Sequence, residues 1–237
     1  LLMSDGGRGN KGFHPPALEA WVNTAKELSD PNKKIAALLL PFTGLRVDEF
    51  CHIHGPTWFS WTDAETGETN DRKRPKLKVP DQARCHIGGD TSPCPSCQPD
   101  DRFTTKYDDE RQIPLTETWE NNNRGKESES VTERLDLPKL CKNYFKVTEN
   151  DVGKEMIGPK GNGVTAGTVN RWLKEVGQKA QIGYERGLTE SVHFDEPVPD
   201  VMPHDMRGTF IMQLIRNNMQ RTKLVIFTGH DHVSSLS

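Results

Sequence analysis

Two stretches in the first half of the sequence place charged side chains next to apolar segments, where they could act on a substrate. TGLRVDEF holds Arg46 after an apolar run and a Thr-Gly turn, with Glu49 three residues later. Lys106 comes shortly before RQIPL and is expected at the tip of a hairpin. Each feature alone has an ordinary explanation: a surface arginine paired with Glu49, and a solvated hairpin lysine.

Two further stretches, near the end of the chain, add histidines and a second arginine. PHDMRGTF holds His204 and Arg207, whose spacing of three puts both side chains on one face of a predicted helix. FTGH ends at His230, after the next predicted helix. His232 could take its place if the register is shifted. An HxxR pair by itself is common, so the four stretches carry weight only as an ordered set.

Such a set suits reaction at a phosphodiester. Guanidinium groups are always charged and can clamp the non-bridging oxygens through forked hydrogen bonds as negative charge develops on them. A lysine in a cationic, partly desolvated pocket can protonate a departing oxygen, and a histidine can donate a hydrogen bond or carry a proton. A carboxylate such as Glu49 would orient a neighbouring side chain, because the phosphate would repel it.

In order and local context, TGLRxxE, a hairpin lysine before RxIPL, PHDxRxTF and GH together resemble the catalytic domain of the tyrosine recombinase (phage integrase) family, with some likeness to archaeal and archaeal-virus members. The resemblance extends from about Pro16 to the end of the chain. It implies strand cleavage and rejoining through a 3′-phosphotyrosyl intermediate, without a catalytic cofactor, by a homo-tetramer on double-stranded DNA. The implied catalytic residues are Arg46, Lys106, His204, Arg207, His230 and, as an orienting acid, Glu49.

The nucleophilic tyrosine of that family has no counterpart at the matching position. Tyr107, Tyr144 and Tyr184 are the three tyrosines, and none follows the GH stretch. We therefore expect the nucleophile just beyond Ser237; a serine nucleophile near the end is a remote alternative. Two other functions stay open: a catalytically inactive DNA-binding or regulatory module of the same fold, and a DNA-relaxing enzyme resembling type IB topoisomerases.

A cysteine-bearing insertion predicts a structural zinc site. CHIGGDTSPCPSC supplies Cys85, Cys94 and Cys97, and the CxxC spacing is typical of zinc knuckles. His86 is the first choice for a fourth ligand, and the alternatives are Cys51, His52 and His54. Free surface thiols are the competing interpretation. Because the insertion leads into the Lys106 hairpin, a zinc ion could brace that loop.

Composition restricts the partners and the compartment. The formal net charge is −3, whereas DNA-binding domains are usually basic, so DNA binding must depend on local clusters such as RKRPKLK. No apolar run is long enough for a membrane span, and no secretory leader is recognisable. Five cysteines without such a leader favour a reducing compartment, and we expect a cytoplasmic protein acting on the chromosome of a prokaryotic or archaeal cell.

The pattern of elements predicts an α+β fold: a mainly helical catalytic domain with a small antiparallel three-stranded sheet, as in the integrase-like DNA breaking-rejoining fold. Residues 1–15 are expected to be a linker or tail and 16–237 the catalytic domain, with the cysteine insertion at about 81–105. Only 33% of residues are hydrophobic, which indicates polar loops. The predicted strands are TWFSWTD, PKLKVP and RQIPL; the predicted helices begin near Pro15, Pro31, Asp136, Thr165, Asp205 and Arg221.

Overall fold

The computed structural model describes residues 12–60, 76–85, 87, 94, 97, 102–106, 110–115, 135–145, 156–158, 161–184, 187–190 and 194–228. Within these ranges the protein is mainly helical and has small antiparallel sheets, which confirms the predicted α+β class. No helix in the described ranges is both long enough and apolar enough to cross a membrane.

Helices α1 (Pro15–Lys26) and α2 (Pro31–Thr43) form a pair at the start of the domain. The apolar face predicted for α1 is buried, and Trp21 donates its indole N–H to the carbonyl of Ala37 at 2.8 Å. Asp30 caps α2 by accepting the backbone N–H of Asn32. Helix α2 is the centre of the domain, because the later helices pack around it.

The described fold includes residues on the N-terminal side of the predicted boundary at residue 16. Phe13 is buried, and its backbone N–H donates to Thr209 Oγ1 at 2.8 Å. Gly12 packs so closely against Gly208 that an added Cβ would lie 2.6 Å from the Gly208 carbonyl carbon. Residues 12–15 are thus part of the domain rather than of a tail, because an apolar ring and a glycine contact attach them to it.

The predicted three-stranded sheet is present. Strands β1 (Phe59–Ser60), β2 (Lys76–Val79) and β5 (Arg111–Pro114) pair antiparallel in the order β1-β2-β5. Leu77 pairs with Ile113 and both are buried, as expected for a sheet with one face on the core. The first strand was predicted too long: the chain forms two short helices, α3 (Val47–Cys51) and α4 (Gly55–Trp58), before only two strand residues.

Two further pairs of strands were not predicted. Strands β3 (Gln82–Arg84) and β4 (Arg102–Thr104) form a separate antiparallel hairpin within the cysteine insertion. Strands β6 (Leu188–Thr189) and β7 (Val198–Pro199) pair within the loop that precedes the PHDMRGTF stretch. Both pairs are too short for a recognisable alternation of polar and apolar residues.

The remaining helices follow the predicted periods. They are α5 (Leu137–Phe145), α6 (Ala166–Ala180), α7 (Pro203–Arg216) and α8 (Arg221–Thr228). The apolar faces of α5 and α6 are buried apart from Leu140 and Ala180, which are only partly covered. Asn218, the second residue after α7, has a φ of 57°, and this left-handed residue follows the end of the helix.

Gly44 ends α2 in a conformation that only glycine adopts without strain here. Its φ is +62°, and a Cβ at this position would lie 2.3 Å from Cδ1 of Phe210 on α7. We expect Gly44→Ala to lower the free energy of unfolding by about 2 to 3 kcal/mol, through left-handed strain and overpacking. Urea unfolding measures this.

Two comparisons separate those causes. Gly167→Ala, whose Cβ would have Thr165 Oγ1 at 3.9 Å as its nearest neighbour, should leave stability unchanged or slightly raised. Gly44→Asn keeps the collision with Phe210 but tolerates the left-handed backbone. If Gly44→Asn is as stable as the wild type, the contact with Phe210 does not constrain the turn.

Candidate functional site

Arg46 and Glu49 form a compact turn at the start of α3. Arg46 is the residue before the helix, and its backbone N–H donates to Glu49 Oε2 at 2.7 Å. Its guanidinium Nη1 donates to Glu49 Oε1 at 3.0 Å. The Arg46 side chain keeps 21% of its surface exposed, whereas Glu49 keeps 1%. The pairing of Arg46 with Glu49 that the alternative predicted is present, but Glu49 is buried rather than at the surface.

Glu49 is also held by an arginine that the sequence analysis did not single out as a site residue. Arg111, at the start of β5, is buried and donates from Nη1 to Glu49 Oε1 at 2.8 Å and from Nη2 to Oε2. Burial alone would raise the pKa of Glu49, but the hydrogen bond and charge of Arg111, followed by the contacts of Arg46, lower it overall. Glu49 is thus an ionised anchor between two guanidinium groups.

Arg207 brings three of the sequence stretches together. It lies in the second turn of α7 and is buried, with 5% of its surface exposed. Nη1 donates to the carbonyl of Gly44 at 2.6 Å, and Nη2 donates to the carbonyl of Thr228. Gly44 is two residues from Arg46, and Thr228 is two residues from His230. The forked guanidinium therefore joins the TGLR turn to the end of α8.

The other predicted catalytic residues are less closely connected to the Arg46–Glu49 turn than Arg207 is. His204 lies in the first turn of α7 and is exposed. Lys106 is exposed and comes two residues after β4, where the buried Thr105 donates its backbone N–H to Asp81 at 2.9 Å. His230 lies outside the described residues. Within those residues, the closest association is that of the Arg46–Glu49 turn with Arg207 and Arg111.

Three cysteines and one histidine converge at a second site, which we call the Cys3His group: His52, Cys85, Cys94 and Cys97. Their ligand atoms all lie within 4.8 Å of one another, and His52 Nε2 is 3.6, 3.5 and 3.3 Å from the three sulfurs in chain order. Tetrahedral zinc, with Zn–S bonds of about 2.3 Å and Zn–N bonds of about 2.0 to 2.1 Å, implies N···S edges of about 3.6 Å. The group has the dimensions of a tetrahedral metal site.

The imidazole of His52 is oriented as a metal ligand. Its Nδ1 lies 2.7 Å from the carbonyl oxygen of Asp48, and only an N–H at Nδ1 makes this contact a hydrogen bond. The proton on Nδ1 leaves a lone pair on Nε2, the atom that faces the three sulfurs. This lone pair is available to a metal ion held among the three sulfurs. The ring also stacks on Phe103, with centroids 4.5 Å apart.

The structure thus completes the predicted cysteine set with His52, one of the open alternatives. His86, the first choice, lies outside the described residues, so its role stays a prediction. His54 faces Thr57 instead, with Nδ1 3.0 Å from its Oγ1. Burial raises the pKa of the Cys51 thiol, which is not among the four ligands, and Cys141 is fully buried in the core.

No protein-family profile and no curated protein matches the sequence. Solved structures do match the fold. XerA recombinase is 15% identical with a TM-score of 0.55; 100% of this chain and 60% of that chain are covered. The Tn1549 transposon integrase in complex with transposon right end DNA is 17% identical with a TM-score of 0.57, covering 99% and 62%. XerH site-specific recombinase bound to difH substrate is 10% identical with a TM-score of 0.54, covering 100% and 51%.

This likeness confirms the integrase-like fold that the motifs implied. The chain corresponds to about half to three fifths of the length of these neighbours. At such low identity the comparison establishes the fold alone, so activity, partners and individual residue roles are matters of proposal.

Proposed function

We propose that the chain is the catalytic domain of a tyrosine-type site-specific DNA recombinase. The observation that carries this proposal is the position of Arg207, whose guanidinium donates to the carbonyls of Gly44 and Thr228 in a recombinase-like fold. These contacts gather the TGLR, HxxR and pre-GH stretches, which are far apart in sequence. If Arg207 had only a structural role, there would be no reason for the other stretches to match the same family in the same order.

In the proposed reaction, Arg46 and Arg207 bind the non-bridging oxygens of one phosphodiester. A tyrosine hydroxyl gives up its proton to water as its oxygen forms a bond to phosphorus, the bond from phosphorus to the 5′ oxygen breaks, and Lys106 supplies the proton to that oxygen. Attack by a 5′-hydroxyl reverses these steps and rejoins the strand. His204 and His230 donate to the phosphate. Glu49 acts as a positioning residue through Arg46.

The tyrosine is proposed to lie beyond Ser237, where the family resemblance implies it, and the structure argues against Tyr144 as the nucleophile. Tyr144 is mostly buried in the core and donates its hydroxyl to Asn32 Oδ1 at 2.6 Å. Burial raises its pKa to about 12. Tyr184 is 46% exposed and Tyr107 is outside the described residues, so mapping of a covalent adduct tests both.

Double-stranded DNA is the proposed partner, bound by a homo-tetramer that holds two duplexes. Two of the structural neighbours were solved on DNA, which is consistent with this partner. Arg46, Lys106 and Arg207 provide local positive charge in a chain of net charge −3. We place the reaction on the chromosome of a prokaryotic or archaeal host.

We also propose zinc as the ion of the Cys3His group. Thiolate and imidazole donors in a closed set of four are typical of structural zinc sites, whereas catalytic zinc keeps a position open for water. The cleavage step proposed above takes its positive charge from guanidinium groups. The ion is therefore assigned a structural role.

Trapping of a covalent adduct tests the proposed function. The protein expressed from its complete reading frame, incubated with nicked duplex fragments of the encoding genome, should retain DNA after denaturation, because a nick lets the cleaved end diffuse away before rejoining. The adduct should persist in Tyr107→Phe, Tyr144→Phe and Tyr184→Phe. Mass spectrometry should map it to a tyrosine beyond Ser237.

The alternatives give different results. An inactive binding module would form no adduct, although Arg46→Ala would still weaken DNA binding. A topoisomerase-like enzyme would form the adduct and relax supercoiled plasmid without joining two duplexes. An adduct on Tyr184 would contradict the proposed position of the nucleophile.

A further inference from the structure

The Cys3His group connects two parts of the domain that carry different catalytic candidates. His52 directly follows α3, the helix that begins after Arg46 and contains Glu49. Cys85 directly follows β3, one strand of the β3–β4 hairpin. An ion bound by both residues would fix the distance between helix and hairpin. Cys94 and Cys97, from the insertion between β3 and β4, would complete the same link.

The β3–β4 hairpin needs such a link. Each strand has three residues, and among the described residues the pair forms its own two-stranded sheet, separate from β1-β2-β5. A lone two-stranded hairpin is marginally stable in water. Phe103 is one attachment to the domain, buried between the rings of His52 and Trp58 at centroid distances of 4.5 and 5.8 Å. A second contact lies just after β3, where Ile87 packs against Gly163. The hairpin is therefore attached to the imidazole that would bind the ion.

Lys106 lies in a short segment between two contacts, one with His52 directly after α3 and one with Glu49 on α3. On one side, Phe103 stacks on His52, and Thr105 closes the base of the hairpin by donating to Asp81. On the other side, Arg111 binds the carboxylate of Glu49. The position of Lys106 is fixed only if both of these contacts persist. The Glu49–Arg111 contact is buried, whereas the Phe103–His52 contact persists only while the hairpin stays folded.

We propose that one zinc ion in the Cys3His group is a positioning site for Lys106, holding the hairpin against α3 so that the lysine reaches the phosphate bound by Arg46. This rests on the proposed function for the role of Lys106. The metal affects cleavage through the lysine and has no contact with the reacting atoms. Loss of the ion should then impair protonation of the leaving oxygen while leaving phosphate binding by the arginines intact.

The test compares Cys97→Ala with Cys141→Ala. Both replace a buried thiol, but only Cys97 belongs to the Cys3His group. Native mass spectrometry should find one zinc per wild-type and Cys141→Ala chain and none in Cys97→Ala. Cobalt substitution should give the visible bands of a tetrahedral thiolate site in the first two proteins. Hydrogen exchange should be faster at residues 82–84 and 102–106 in Cys97→Ala alone.

Cleavage is measured on two nicked DNA substrates, one normal and one with sulfur in place of the bridging 5′ oxygen. A thiolate leaves without a proton, so the sulfur substrate does not need the lysine. Cys97→Ala and Lys106→Ala should both cleave normal DNA at least about 100-fold more slowly than the wild type, which is the usual contribution of a general acid. Both should cleave the sulfur substrate near the wild-type rate. Cys141→Ala should cleave both normally.

Several results would overturn the proposal, and they differ from failure of the proposed function. If the wild-type protein contains no metal, the proposed zinc site does not exist. If the wild type binds metal but hydrogen exchange is unchanged in Cys97→Ala, the ion does not hold the hairpin. If Cys97→Ala cleaves the sulfur substrate as slowly as normal DNA, the ion does not act through Lys106. If wild-type protein cleaves neither substrate, the proposed function fails and the role of Lys106 fails with it, while metal content and exchange still decide whether the ion holds the hairpin.

Discussion

Replacing Arg207 with alanine is expected to slow DNA cleavage by about 10³-fold or more, the usual cost of removing a preorganised donor from developing phosphate charge. Arg207 is buried and its fork already spans the carbonyls of Gly44 and Thr228. Its charge is therefore held in place before DNA arrives. Single-turnover adduct formation on nicked duplex DNA measures the rate.

A lysine at position 207 should restore little of the lost rate. An ammonium keeps the charge but lacks the planar fork that can join two carbonyls and a phosphate. Arg216→Ala is the matched control, because it removes an exposed arginine from the other end of the same helix. Circular dichroism should confirm that each variant is folded. If Arg207→Ala cleaves DNA at a rate within tenfold of the Arg216→Ala rate, Arg207 is not a catalytic residue.

Glu49→Gln should be the most destabilising of the conservative substitutions considered, lowering the free energy of unfolding by about 3 to 5 kcal/mol. The substitution leaves the buried guanidinium of Arg111 without its counter-charge, although the shape of the side chain is kept. Urea unfolding at neutral pH measures the loss. Glu110→Gln is the control, because its ion pair with Lys78 on the same sheet is nearly half exposed and should change stability by about 0.5 kcal/mol or less.

The difference between wild type and Glu49→Gln should also depend on pH. The folded-state pKa of Glu49 lies below the ordinary value of 4.5. Its ionised form therefore contributes stability that is fully present above that value and is lost as pH falls through the lower, folded-state pKa. The difference should be constant between about pH 6 and 8 and should narrow in acid. A difference that stays constant into strong acid would show that the charge of Glu49 contributes nothing.

Much of the helical framework could be predicted because the buried face of each helix can be recognised from the local sequence. Leu18 and Trp21 in α1, or Val169, Trp172 and Val176 in α6, recur at the helical period, and Asp30 and Asn218 mark helix ends by their own chemistry. The strands β2 and β5 were also predicted correctly, since alternation survives over four residues.

What escaped prediction depends on contacts between distant segments. His52 becomes the fourth member of the Cys3His group only because the two short helices around it turn the chain back toward Cys85, and no local pattern distinguishes it from His86. Arg111 gave one usable signal: a charged residue at a buried position in the alternation of β5. The burial of Phe13 was not predicted, because a single aromatic residue in a glycine-rich stretch shows no helical or strand periodicity.

The close packing of Gly12 on Gly208 has a mechanical consequence. Gly12 meets α7 one residue before Phe13 donates to Thr209, and Thr209 is two residues from Arg207. Backbone contacts backbone there without an intervening side chain, so a displacement of Gly12 would be passed directly to α7, the helix that contains Arg207.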